Sequence, residues 1–298
     1  GSIRGPAVWC GVTGVKPTYG RVSRYGVIAM ASSTDSPGPI VKSVEDGALV
    51  LQVIAGKDKH DATTSPEPAD KYFDKLESFS FKGVKIGMPK SYFEIDLEEG
   101  VKEKVLEALH KFEELGAQII EVDLLDPTYS IGVYTILQRS EVSSNLARFD
   151  GIRYGHNRDS FNFENRKRMM LGAYALSAGY YDKYYAKAQK VRTLIVEDFK
   201  KVFEKVDFIA GPTMPSIAPE LGIANSSPLF GEMIDLLQEP SSIAGLCGVT
   251  VPCGFSNEMP VGIQLIGNFL DEFKILGAAH KFQQATDYHK KFPELKKE

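Results

Sequence analysis

Residues 84–124, "VKIGMPKSYFEIDLEEGVKEKVLEALHKFEELGAQIIEVDL", decide the architecture. The short apolar run "VKIGMPK" reads as a strand. Val101, Val105, Leu109, Phe112 and Leu115 then recur at the three-and-four spacing that places side chains on one face of a helix. Gly116 stops that helix, and "AQIIEVDL" opens a second strand. The stretch is a β-α-β unit, and it sets the expectation for what flanks it.

Towards the C-terminus the same alternation continues. Residues around 130–205 are mostly helical in pattern and end in the amphipathic stretch "YYAKAQKVRTLIVEDFKKVFEKV". "DFIAGPT", "GVTVPCG" and "PVGIQLIG" follow as short apolar runs bounded by Gly or Pro, and "DEFKILGAAHKFQQATD" closes the chain with a helix. Towards the N-terminus, residues 1–40 are rich in Gly, Ser and Pro and read as loops joined by short strands. "SVEDGALVLQVIAG" reads as a helix with Ser43 as its N-cap, Glu45 and Asp46 in the first turn and Gly56 at the stop. "DKHDATTSPEPADKY" is polar and broken by proline, as a surface connection would be. Strands alternating with helices predict an α/β layered fold with both faces of the sheet covered.

Bulk properties exclude several classes of function. The 298 residues are 43% apolar and 25% charged, an ordinary globular balance that suits one or two domains. A net charge of -4 gives no broad basic footprint for nucleic acid. No apolar run approaches the ~20 residues of a membrane span. Cys10, Cys247 and Cys253 form no CxxC spacing, which argues against a disulfide framework or a zinc site and fits a reducing, cytoplasmic setting. His60, His110, His156, His280 and His289 never pair at ligand spacing, so metal chemistry is not expected. Neither a Walker motif nor a GxGxxG after a strand is present, and there is no GxSxG elbow.

What remains is the opening stretch, "GSIRGPAVWCGVTGVKPTYGRVSRYG" at residues 1–26. A serine directly after glycine can act as a nucleophile, because small neighbours admit a substrate carbonyl and successive backbone N–H groups can face a developing oxyanion. On residue type alone Gly1-Ser2 reads more readily as a cloning scar. The longer pattern decides between the two. Ser2, Arg4, Pro6 and Ala7, then Gly11, Gly14 and the run "KPTYGRVSRYG", then Ser33, Asp35, Gly38, Pro39, Gly56, Asp58 and Asp61 stand in register with the signature of the amidase signature family. The chain resembles that family over nearly its whole length. "SSNLARFDGIRYG" and "LGAYALSAGYYDKYYAKAQKVR" resemble its tRNA-dependent amidotransferase branch in particular.

That resemblance implies a mixed central sheet with helices on both faces. It implies that residues 1–298 are the C-terminal portion of a single amidase domain. Catalysis in the family uses Ser-Ser-Lys; Ser2 matches the acyl-ester nucleophile, and Gly1 and Ser2 match the oxyanion loop. The catalytic lysine and bridging serine of the pattern lie upstream of Gly1, so the 298 residues alone are expected to be inactive and to fold poorly in isolation. Lys16, in "KPTYG", matches a structural position and is not assigned the role of base. For a glutamine substrate, Arg192 matches the partner of the α-carboxylate, Asp235 the partner of the α-ammonium, and Tyr154 a lining position. The implied activity is the glutaminase step that supplies ammonia for forming Gln-tRNA(Gln) from Glu-tRNA(Gln). No cofactor is implied in this chain. ATP and Mg2+ are implied for the partner, GatB-like and GatC-like subunits would complete a heterotrimer, and tRNA would be met mainly through the partner rather than here.

The chain departs from the branch in places. The insert near 156–166 is short, Ser242 stands where Asn is common, Cys247 where Pro is common, and "LQRS" precedes Glu141 in place of a more apolar stretch. Two further readings therefore stay open, a free-standing amidase and a non-catalytic scaffold.

Overall fold

The computed structural model describes residues 1–223 and 233–293. Its elements begin with α1 (Arg4–Trp9), β1 (Thr13–Lys16), β2 (Ile40–Val41), α2 (Val44–Ile54) and α3 (Tyr72–Lys75). The β-α-β unit follows as β3 (Lys85–Pro89), α4 (Glu99–Glu114) and β4 (Gln118–Val122). Three helices come next: α5 (Thr128–Leu146), α6 (Phe163–Ala175) and α7 (Lys187–Phe203), the last preceded by a π-turn at Asp182–Ala186. The described chain closes with β5 (Phe208–Pro212), α8 (Glu239–Ile243), β6 (Gly248–Ser256), β7 (Met259–Gly267) and α9 (Glu272–Gln284).

The described strands form one mixed sheet in the order β2-β1-β6-β7-β5-β3-β4. β3 lies parallel to β4, with Lys85 opposite Gln118, and parallel to β5. The other pairings are antiparallel. Apolar residues of the central strands point alternately to the two faces, as a period of two requires. Phe208, Ala210, Ile263 and Leu265 join the core under α2, α4 and α9; Ile209 and Ile266 join the core under α5, α7 and α8. The face of α4 read from the sequence packs as expected, with Val105 and Phe112 fully buried. Burying each such side chain contributes about 1.5–3 kcal/mol. Ser43 caps α2 by accepting from the Asp46 N–H at 3.1 Å.

Two segments differ from the sequence reading. Residues 4–9 are helical, not loop. Pro6 falls in the first turn, where a missing N–H costs nothing, and Ala7 and Val8 turn inward. The polar 58–72 connection is only partly on the surface. Asp61 and Thr64 are buried, Asp61 accepting from the Arg24 N–H at 2.8 Å, and Tyr72 is 1% exposed. At Gly20, φ is +80° and a Cβ would meet the Thr63 carbonyl, so glycine is required where this connection crosses the signature loop.

Candidate active site

A cleft of about 330 Å³ opens at the end of β1. Gly1 and Ser2 approach it ahead of α1, Lys16 and Arg4 line its base, the loop at 27–37 forms one wall, and Tyr134 and Ser242 complete it. Ser2 is exposed, and nothing among the described residues hydrogen-bonds its hydroxyl. The loop can lie this close to β1 only because residue 38 is glycine: a Cβ there would run into the Val15 carbonyl.

Arg4 holds the base together. It is 1% exposed and donates from Nη1 to Gln264 Oε1 (2.6 Å) and from Nη2 to Gln238 O (2.8 Å), Ser241 Oγ (2.9 Å) and Ser242 Oγ (3.1 Å). Burial pulls its pKa down to about 10, so it remains a cation at neutral pH. These bonds fix the stretch 235–243 against α1. Asp235 opens that stretch, its carbonyl accepting from the Gln238 N–H (2.9 Å) and Glu239 N–H (3.1 Å). Its carboxylate lies against Gly1, where a Cβ would collide with both carboxylate oxygens.

Lys16 is also buried. Nζ donates to Leu246 O (2.7 Å) and Pro17 O (3.1 Å). Burial, aided by the nearby Arg4 cation, lowers its pKa to about 7. The residue treated as purely structural in the sequence thus lines the same cleft as Ser2.

Arg192 projects from α7 to the far end of the 235–243 stretch, at Ile243. Nε donates to Ile243 O (2.7 Å), Nη1 to Ser33 Oγ (3.0 Å) and Nη2 to Ser33 O (3.1 Å). Among the described residues no carboxylate lies within 4.0 Å of it. Ser33 adjoins Thr34, Asp35 and Ser36 of the cleft wall. The structure therefore brings Gly1, Ser2 and Asp235 into one corner and sets Arg192 at the border of the cleft.

Tyr154 is not brought there. It is 89% exposed and lies with Arg148, Phe149 and His156 in a separate depression. Tyr134 lines the cleft instead, with a hydroxyl whose pKa burial pushes up to about 12. Nothing in the helical periodicity of α5 marked it. Of the two unusual residues, Ser242 lines the cleft and accepts from Arg4, while Cys247 is fully buried with Sγ donating to Asn268 O at 3.2 Å. Among the described residues, no three His, Cys, Asp or Glu side chains gather in a way that could hold a metal. None of the described helices is long and apolar enough to cross a membrane.

An exposed hydroxyl beside a carboxylate, with a guanidinium in no direct ion pair among the described residues, suits a substrate that carries both a cation and an anion next to an acyl group. Comparison with known proteins finds relatives over almost the whole chain. The family described as Amidase matches residues 1–276. The A-type subunit of the glutamyl-tRNA(Gln) amidotransferase of Geobacillus kaustophilus is 49% identical over 310 aligned residues, and that of Bacillus pumilus 50%, each alignment covering 99% of this chain and 64% of the relative. The crystal structure of the Thermotoga maritima counterpart superposes with a TM-score of 0.83 at 40% identity, over 97% of this chain and 61% of that one. A 6-aminohexanoate cyclic dimer hydrolase shares the fold at a TM-score of 0.83 with 20% identity. The chain spans about 64% of the length of the curated relatives it matches.

Proposed function

The chain belongs to the amidase family, and from that premise we propose that it carries the nucleophile and the amino-acid grip of a glutaminase, the A-type component of a glutamyl-tRNA(Gln) amidotransferase. In this reading residues 1–298 are the C-terminal portion of one amidase domain. Ser2 Oγ attacks the carboxamide carbon of glutamine and gives its proton to a base outside these residues. The N–H groups of Gly1 and Ser2 hold the oxyanion. The C–N bond breaks, the leaving nitrogen takes the proton and departs as ammonia, and a glutamyl ester remains on Ser2. Water then cleaves the ester, releasing glutamate and restoring the hydroxyl. Asp235 faces the α-ammonium and Arg192 the α-carboxylate; Tyr154 is not part of the proposal. Ammonia passes to GatB-like and GatC-like partners, where ATP and Mg2+ activate the glutamyl-tRNA.

The observation that carries this reading is the contact of Asp235 with Gly1, beside the exposed Ser2 hydroxyl, between residues far apart in the sequence. Ser2→Ala in the complete enzyme is expected to lower glutamine hydrolysis by about 10³-fold or more. The thermal midpoint should stay within about 2 °C, since an exposed hydroxyl contributes little to folding. Retained turnover in a folded variant would refute the assignment.

A further inference from the structure

Resting on that reading, we propose that Glu141 is a positioning residue that acts through Ser33 to present Arg192 to an anionic amide. In this way it sets a preference for substrates that carry a carboxylate.

The argument starts from the direction of the hydrogen bonds. Glu141, on α5, takes both donors of Ser33: the backbone N–H at 2.8 Å and the hydroxyl at 2.6 Å. A carboxylate only accepts, so the single hydroxyl proton of Ser33 is committed to Glu141. What Ser33 Oγ still offers is lone pairs, and Arg192 Nη1 donates to them at 3.0 Å. The Ser33 carbonyl takes Nη2 at 3.1 Å, and Ile243 O takes Nε at 2.7 Å. A guanidinium has five N–H groups. Three are thereby fixed, leaving one on each terminal nitrogen for a ligand.

The spacing of charge matters as much as the bonding. Glu141 orients Arg192 without touching it, because the serine stands between them and no ion pair within 4.0 Å forms. A carboxylate in direct contact would neutralise the cation that a substrate carboxylate needs. A hydroxyl in its place passes on the orientation and leaves the charge available. The same helix face secures the rest of the wall. One turn further along α5, Asn145 Nδ2 donates to Met30 O (3.0 Å) and Ser32 Oγ (2.9 Å). Helix α5 thus sets the register of the loop whose Met30, Thr34, Asp35 and Ser36 line the cleft with Ser2.

The test compares two substrates in the complete enzyme: glutamine, and 4-aminobutanamide, which is glutamine without its α-carboxylate. Glu141→Gln keeps the shape but loses an acceptor. Its KM for glutamine should rise roughly tenfold, with kcat little changed and with kcat/KM for 4-aminobutanamide unaltered. Arg192→Lys should raise the glutamine KM at least as much, and adding Glu141→Gln to it should have little further effect, because both act through one grip. Ser33→Ala should show the same substrate-selective rise, and it reads the relay if Glu141→Gln does not fold. An unchanged glutamine KM in Glu141→Gln, alongside a raised one in Arg192→Lys, would overturn the positioning role and leave the carboxylate grip standing. An equal loss on both substrates would make Glu141 merely structural and also overturn it. An unchanged KM in Arg192→Lys would remove the grip itself and the substrate assignment with it.

Discussion

At the base of the cleft, Arg4 is 1% exposed and commits its guanidinium to four protein acceptors. On the helical arm that flanks the cleft, Arg168 donates to a single carboxylate, Glu164, while about a third of its side chain stays in water. The two arginines have the same chemistry and opposite surroundings. In the base, water has been removed, so every buried donor needs a partner and the network allows one arrangement. On the arm, water competes with the pair and screens it. A site that must hold a nucleophile, a carboxylate and a substrate in register therefore uses the first kind of region. The second kind is suited to segments such as 148–162, whose side chains are mostly exposed.

The sharpest way to break this contrast is at Arg4. Arg4→Met keeps an apolar stem and removes the charge. It leaves the buried Gln264 Oε1 without its donor and takes one donor each from Gln238 O and Ser241 Oγ, which keep only the 3.1 Å bond from Ser241 to the Gln238 carbonyl. Leaving a buried polar group without its partner costs about 1–3 kcal/mol. The variant of the complete enzyme should lose that much in denaturant unfolding. Glutamine hydrolysis should fall as well, since the stretch carrying Asp235 is no longer tied to α1. A loss below about 1 kcal/mol would mean that the base tolerates an orphaned network and that the contrast with the arm is false.

The partners of Arg4 also show where sequence reading stopped. The β-α-β unit at 84–124 was legible because its signals are local: apolar spacing, a terminating glycine and two short apolar runs. The helix Val44–Ile54 was legible for the same reason, through its Ser43 cap. The helix at Arg4–Trp9 was not, because Gly5 and Pro6 are poor helix formers in isolation. What holds it is packing: a Cβ on Gly5 would lie 3.1 Å from Gln238 Nε2 and 3.3 Å from Met214 Sδ. Residues of the candidate site were named through a resemblance, but their meeting was not readable. Asp235 touches Gly1, and Arg4 reaches Gln264, only after β6 and β7 have brought the two ends of the chain together. Ser33 stood in the signature pattern without a role, and its bonds to Glu141 and Arg192 depend on α5 and α7 closing over the same loop. Tyr154 shows the converse. A motif placed it in the site, and the fold leaves it 89% exposed elsewhere.

A second, smaller effect sharpens the contrast through pH. Lys16 has a folded pKa of about 7 against an unfolded value near 10.5, because burial opposes its charge. Between those values the unfolded chain binds more protons than the folded one, so this group adds stability as pH rises through that window. Below pH 7 both states are protonated and the cost of burying the charge is fully present. In the complete enzyme, the stability difference between wild type and Lys16→Met should therefore shift in favour of wild type from pH 7 to pH 10. The slope should not exceed about 1.4 kcal/mol per pH unit. A difference that stays flat across that range would show that the amine is solvated and that the base is not dry at this point.

The arm should give the smallest response. Glu164 precedes Arg168 by one turn of α6, the favourable order for such a pair, and the two meet at 2.7 Å. The hydrogen bond from Arg168 holds the Glu164 carboxyl below its ordinary value. A depressed carboxylate stabilises the fold above its unfolded pKa of about 4.5 and loses that contribution as pH falls below it. Both partners are partly in water, so the interaction is worth only about 0.3–0.5 kcal/mol. Arg168→Ala should cost that much at pH 7, less in high salt, and almost nothing at pH 3, with glutamine hydrolysis unchanged. A loss above about 1.5 kcal/mol that persisted in salt would place Arg168 in the same class as Arg4. The arm would then be fixed by a dry network like the base, and exposure would no longer separate the two regions.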